Sequence, residues 1–210
     1  MVRVIVVAVP GAGKTTVLNK VLEKVENLRL VNFGDLMFEQ AVKYFRIANR
    51  DEMRKKIGLH DYRVIQERVA ERISRMEGDL LIDTHAVVKT NLGYYPGLPC
   101  RVVDLINPDA IVFLEYRPED IIQRRVKDLK AEEKYRRYRE IEEVEKVQEH
   151  QDRVRDYAIA AANHARCYFI HLKFLKPEQY PFQHAEEAAE AITELVESLR
   201  EAKAKEALLE

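Results

Sequence analysis

Apolar residues recur along the chain in short unbroken runs, each followed by a longer stretch with helical spacing. The runs predict strands at 3–9, 28–32, 79–83, 110–116 and 167–174. Several lack the in-out alternation of a strand with one wet face, which suits a parallel sheet covered on both sides. Between them, apolar positions three and four apart predict helices at 15–26, 34–47, 51–76, 118–130 and 138–164, and a closing helix at 184–203. Gly78 and Asn107-Pro108 mark the turns into the third and fourth strands. Strand-helix alternation with right-handed crossovers builds a three-layer α/β fold, whose ligands sit outside the carboxyl ends of the strands.

Two segments look like insertions on that frame. Residues 34–77 hold the longest helical stretch between neighbouring strands. Residues 126–149 are a dense mixture of charge, DLKAEEKYRRYREIEEVEKVQE from Asp128 onward. Such a run is either a solvated helix face or a lid whose arginines meet a phosphate on closing. With 210 residues, one domain over 1–210 is expected.

Chemistry enters at the end of the first run. VRVIVVAV is followed at 8–16 by AVPGAGKTT and then by the amphipathic VLNKVLEKV. A strand, a tight turn of small residues and a helix opening on Lys14-Thr15 describe a phosphate-binding loop. Ala8, Val9, Pro10, Gly11, Ala12, Gly13, Lys14, Thr15 and Thr16 are thus the expected ATP-binding residues. Backbone N–H groups and the helix N-terminus attract phosphate, Lys14 reaches the β- and γ-phosphates, and the Thr15 hydroxyl holds Mg²⁺. Ala8 stands where the motif has glycine, at a strand end where a positive φ is not required. The bland alternative, a βα turn without ligand, does not account for strand, loop, Lys-Thr and helix occurring in order.

The third strand ends in Asp83-Thr84-His85. Asp83 there is either a turn cap or, beside a phosphate loop, a Mg²⁺ partner acting through water. Positive charge accumulates later at Arg124, Arg125, Arg137, Arg139, Arg153 and Arg155. Arginine suits charge neutralisation in phosphoryl transfer; spacing alone reads each of the six as solvated.

Composition narrows the partners. Hydrophobic residues make up 47%, enough for a full core, and the net charge of -1 points to neither nucleic acid nor membrane. Charged residues of both signs make up 34%, a composition that suits heat adaptation. Cys100 and Cys167 form no CxxC pair, so a disulfide framework and a cysteine zinc site are not expected. No apolar run has the length of a membrane span, and the first strand starts too early for a signal peptide. A cytoplasmic protein is expected.

Several motifs together resemble archaeal-type adenylate kinases over most of the chain. They are VPGAGKTT, NFGDLM at 32–37, RDEMRK at 50–55, IDTHAVVKT at 82–90, GYYPGLP at 93–99, NPDAIVFLE at 107–115 and EHQ at 149–151. DTHA combined with GYxPGLP is the specific part. The resemblance implies a P-loop kinase fold with a five-stranded parallel sheet flanked by helices, an acceptor-nucleotide insertion and a lid. It implies transfer of the γ-phosphoryl of MgATP to AMP, giving two ADP. It further implies that Lys14, Arg124, Arg155 and one or both of Arg137 and Arg139 act on the phosphates. Asp35, Arg54, Tyr95 and Gly97 would bind AMP, with Gly97 letting the backbone approach the base. Thr15 and, through water, Asp83 would serve Mg²⁺; no lid zinc is expected, the four cysteines being absent. The family implies a homo-oligomer, a trimer. A kinase for another nucleoside monophosphate and a regulatory NTPase are the competing functions.

Overall fold

The computed structural model describes residues 1–49, 52, 53, 56–90, 92–131 and 143–209. In chain order the elements are β1 (Arg3–Val7), α1 (Lys14–Lys24), β2 (Leu28–Asn32), α2 (Phe33–Phe45), α3 (Leu59–Ser74), β3 (Asp79–Thr84), β4 (Val87–Thr90), β5 (Gly93–Pro96), α4 (Cys100–Ile106), β6 (Ala110–Tyr116), α5 (Pro118–Ala131), α6 (Val144–Ala165), β7 (Tyr168–Phe174) and α7 (Gln183–Glu206).

Five strands form one sheet in the order β2-β3-β1-β6-β7, every neighbouring pair parallel. Handedness then distributes the helices. The step from β1 to β2 runs one way across the sheet, whereas the steps β2 to β3, β3 to β6 and β6 to β7 run the other. Right-handed crossovers therefore put α1 on one face and α3, α4 and α6 on the opposite face. α1 accordingly packs along α7, while α3 packs on α4 and α4 on α6. The three layers are those expected from the strand-helix alternation. Val4, Ile5, Val6 and Val7 of β1 and Ala110–Tyr116 of β6 are buried throughout, as central strands covered on both faces must be.

Register prepares the site. Val6 pairs with Asp83 and Val7 with Thr84, while Asn32 on the far side also pairs with Asp83. Three strand ends thus bring Asn32, Asp83 and the loop after β1 to one edge.

Some boundaries differ from the pattern. β1 stops at Val7, two residues before the apolar run does. The helix expected over 51–76 is not continuous: residues 52, 53 and 56 are helical, and Gly58, extended at φ -66° and ψ 158°, separates them from α3, which begins at Leu59. The helix expected from residue 138 is described from Val144, residues 138–142 lying outside the described part. The antiparallel hairpin β4–β5 and the short α4 are additional. Both are too short for their periodicity to stand out, and the hairpin turns at Gly93 with φ 122°. Among the described residues no helix is long and apolar enough to cross a membrane.

Candidate active site

The loop between β1 and α1 bends at Gly11 (φ 84°) and Gly13 (φ 86°), left-handed conformations that favour glycine. Ala8 is fully buried and needs no positive φ, which explains the tolerated alanine. Gly13 is the N-cap of α1, and no side chain caps the helix. The first amides of a helix have no intrahelical acceptor, so this end presents N–H groups and the positive end of the helix dipole. Lys14 and Thr15 stand in the first turn, with Thr15 exposed.

Lys14 folds back over the strand ends. Its Nζ donates to the Thr84 carbonyl, lies 2.5 Å from Asp83 Oδ1 and 3.5 Å from the Val6 carbonyl. Burial lowers the affinity of this ammonium for its proton; the charge and hydrogen bond of Asp83 act against that, and the net shift is downward. Asp83 in turn accepts from Asn32 Nδ2 at 2.8 Å through Oδ2. Asn32 Oδ1 caps α2 by accepting from the Asp35 N–H at 2.9 Å. Asp83 is therefore not a turn cap; it links the loop lysine to the segment that opens α2. Thr15 and Asp83 together offer hydroxyl and carboxylate oxygens, a donor set that fits Mg²⁺.

α5 supplies two arginines to the other side of the loop. Arg124 Nη1 donates to the Ala12 carbonyl at 2.8 Å, and its guanidinium lies 4.7 Å from the Tyr116 ring centroid. Arg125 corrects the expectation from spacing that it would be solvated: it is 4% exposed. Its Nε donates to the Pro10 carbonyl at 3.0 Å, and a Cβ on Gly11 would lie 2.7 Å from its Cγ. Arg125 thus packs directly against the loop apex, whose glycine leaves it room. Arg153 remains half-exposed with Asp156, as a solvated arginine should.

On the acceptor side, Gly97 makes a close contact within the protein itself. A Cβ on Gly97 would fall 1.8 Å from the His85 carbonyl oxygen, so the missing side chain makes room for the protein's own backbone. The Gly97 N–H donates to the Ala86 carbonyl at 2.8 Å, fastening the hairpin to the end of β3. His85 Nδ1 lies 3.2 Å from the Ala8 carbonyl, which ties this junction to the phosphate loop. Tyr95 packs edge-on against Tyr62 and donates to Gln66 Oε1 at 3.2 Å. With Arg63, Gln66, Pro96 and Arg101 it lines a cleft of about 370 Å³. Asp35 stands in the first turn of α2.

The structure gathers Lys14, Thr15, Asp83 and Arg124 about the loop. Arg155 instead engages Asp152 at 3.1 Å and Asp156 at 3.5 Å on its own helix. Arg54, Arg137 and Arg139 lie outside the described residues. Spacing did not foresee the contacts of Asn32 and Arg125, which are made across the fold. For Asn32 alone there was a local signal, an asparagine before a helical run.

A family model described as an AAA domain matches residues 7–164. The adenylate kinase of Pyrobaculum aerophilum is 47% identical over 201 residues, covering 92% of this chain and 96% of that protein. The adenylate kinase of Pyrococcus abyssi is 41% identical over 200 residues, covering 93% and 94%. Among solved structures, shikimate kinase from Bacteroides thetaiotaomicron superposes with a TM-score of 0.56 at 17% identity, covering 93% of this chain and 98% of that one. That likeness bears on the fold alone.

Proposed function

The chain belongs to the adenylate kinases, and we propose on that premise that it transfers the γ-phosphoryl group of MgATP to AMP, giving two ADP. The observation that carries the reading is the pair of cations, Lys14 and Arg124, flanking an uncapped helix N-terminus. An AMP phosphate oxygen attacks the γ-phosphorus in line, and the bridging oxygen leaves with ADP. The protein's task is positioning and charge neutralisation.

The loop over residues 8–16 cradles the phosphates, the backbone N–H groups at the start of α1 donating to them. Lys14 exchanges Asp83 for phosphate oxygens, and Arg124 turns its remaining N–H groups onto the same charge. Thr15, with Asp83 through water, would hold Mg²⁺, which supplies further charge neutralisation when bound. AMP would lie between the start of α2 with Asp35, Arg54, and the Tyr95–Gly97 segment beside the cleft. Gly97 would serve this site by seating the segment against His85 and by letting the backbone approach the base. The lid, residues 126–149, would bring Arg137 or Arg139 inward on closing, and Arg155 would leave its aspartates for the nucleotides. Closure over both substrates keeps water, the competing acceptor, away. The working form would be a cytoplasmic homo-oligomer, a trimer as in the family, with nucleotides as its partners.

The test is ADP formation from MgATP with AMP, beside CMP, UMP, GMP and a no-acceptor control. Rapid turnover with AMP alone is expected. Turnover with another monophosphate moves the acceptor assignment, and slow hydrolysis indifferent to acceptor refutes the kinase reading.

A further inference from the structure

Beyond α5, the guanidinium of Arg124 meets one more group. Glu178, in the segment between β7 and α7, places its Oε1 3.5 Å from Arg124 Nη2. The same oxygen accepts from the His184 N–H at 3.2 Å, in the first turn of α7, and lies 3.7 Å from His184 Nδ1. α7 has no side-chain cap of its own, its N-cap being Phe182 at φ 68°. Arg124 is thus held on three sides: by the Ala12 carbonyl, by the face of buried Tyr116 and by the Glu178 carboxylate.

We infer that Glu178 is a positioning residue for phosphoryl transfer, acting through Arg124. The inference rests on Arg124 being a phosphate-contacting residue, as proposed above. The carbonyl holds one terminal nitrogen and the ring holds the plane, which with the covalent link at Nε set the guanidinium's resting orientation. A carboxylate beside the second terminal nitrogen opposes any swing away from that orientation and leaves the remaining N–H groups for the γ-phosphoryl group. A charge already oriented before the reaction stabilises the transition state without a reorganisation cost. The anchor is itself held, its oxygen accepting from the His184 N–H in the first turn of a long helix.

Glu178→Gln tests this, since the amide oxygen still accepts from the His184 N–H while the negative charge is gone. We expect an about tenfold fall in kcat, equivalent to roughly 1.4 kcal/mol, with KM for AMP and the melting temperature close to those of the parent. In an Arg124→Ala background the same substitution should change kcat less than twofold. Three results would overturn the inference: parental or faster turnover in Glu178→Gln, a tenfold loss that persists without Arg124, or a lowered melting temperature with intact kcat. The last would make Glu178 only a cap for α7. Parental turnover in Arg124→Ala alone would remove the reading of Arg124 itself, and the positioning role with it.

Discussion

Gly97→Ala separates two reasons for a glycine beside the acceptor site. If glycine is needed because a ligand base approaches, alanine damages binding and leaves the free protein alone. The structure gives the other reason. The added Cβ would sit 1.8 Å from the His85 carbonyl oxygen and 2.9 Å from its carbon, both backbone atoms that no rotamer change can move. Reaching the closest tolerable separation requires the two segments to part by about 1.2 Å. That displacement breaks the Gly97 to Ala86 hydrogen bond, worth ~1 kcal/mol, and adds ~1–3 kcal/mol of overpacking. A total of about 2–4 kcal/mol corresponds to a melting temperature lower by roughly 5–15 °C for a chain of this size. The assay is thermal and urea unfolding without nucleotide, with Gly58→Ala as the control. Gly58 has ordinary φ and open space where a Cβ would go. A small capping loss and a reduced unfolded-chain entropy oppose each other there, so its stability should stay within about 1 kcal/mol of the parent. Unchanged stability in Gly97→Ala together with a raised KM for AMP would refute the backbone explanation.

Lys14→Ala should lower kcat by roughly two powers of ten or more while circular dichroism stays native; parental kinetics would remove Lys14 from the mechanism. Tyr116→Phe keeps the ring face under Arg124 and should be nearly neutral, so a large kinetic loss would reveal a role for the hydroxyl. For Asp79, burial works to raise the carboxyl's pKa, but the Val2 N–H, Arg200 and the amino terminus outweigh it and the net shift is downward. Its stabilisation is therefore present above the ordinary carboxylate pKa and lost as pH falls through the lowered one. Asp79→Asn should cost about 1 kcal/mol at neutral pH and progressively less in acid, as read by urea unfolding; a pH-independent cost would contradict this. Burial raises the Cys167 thiol to about 11, whereas Cys100 is exposed. Mass spectrometry should find Cys100 alkylated first by iodoacetamide at pH 8, and the reverse order would contradict that placement.

Much of this protein is written locally. An apolar run, two glycines, Lys14 and an amphipathic run determine a phosphate loop, because turn, strand and helix chemistry act over a few residues. Five apolar runs separated by helical spacing likewise determine a parallel sheet with helices on both faces, and Asp83 falls at a strand tip by the same local pattern. What tertiary structure decided is which groups meet at that loop. Asn32 reaches Asp83 because β2 and β3 pair in one register, and a shift of one residue would point it to the other face. Arg124 and Arg125 are adjacent in sequence and of one type, yet one guanidinium reaches the Ala12 carbonyl and the other is buried under Gly11. These contacts span 112 and 115 residues. Gly97 is set by a backbone carbonyl and Glu178 by the guanidinium of Arg124 on α5, neither of which a sequence pattern contains. Periodicity is a property of neighbours along the chain. Register and cross-layer contact come from the sheet order that buries all the apolar runs together, and that order exists only once the chain has folded.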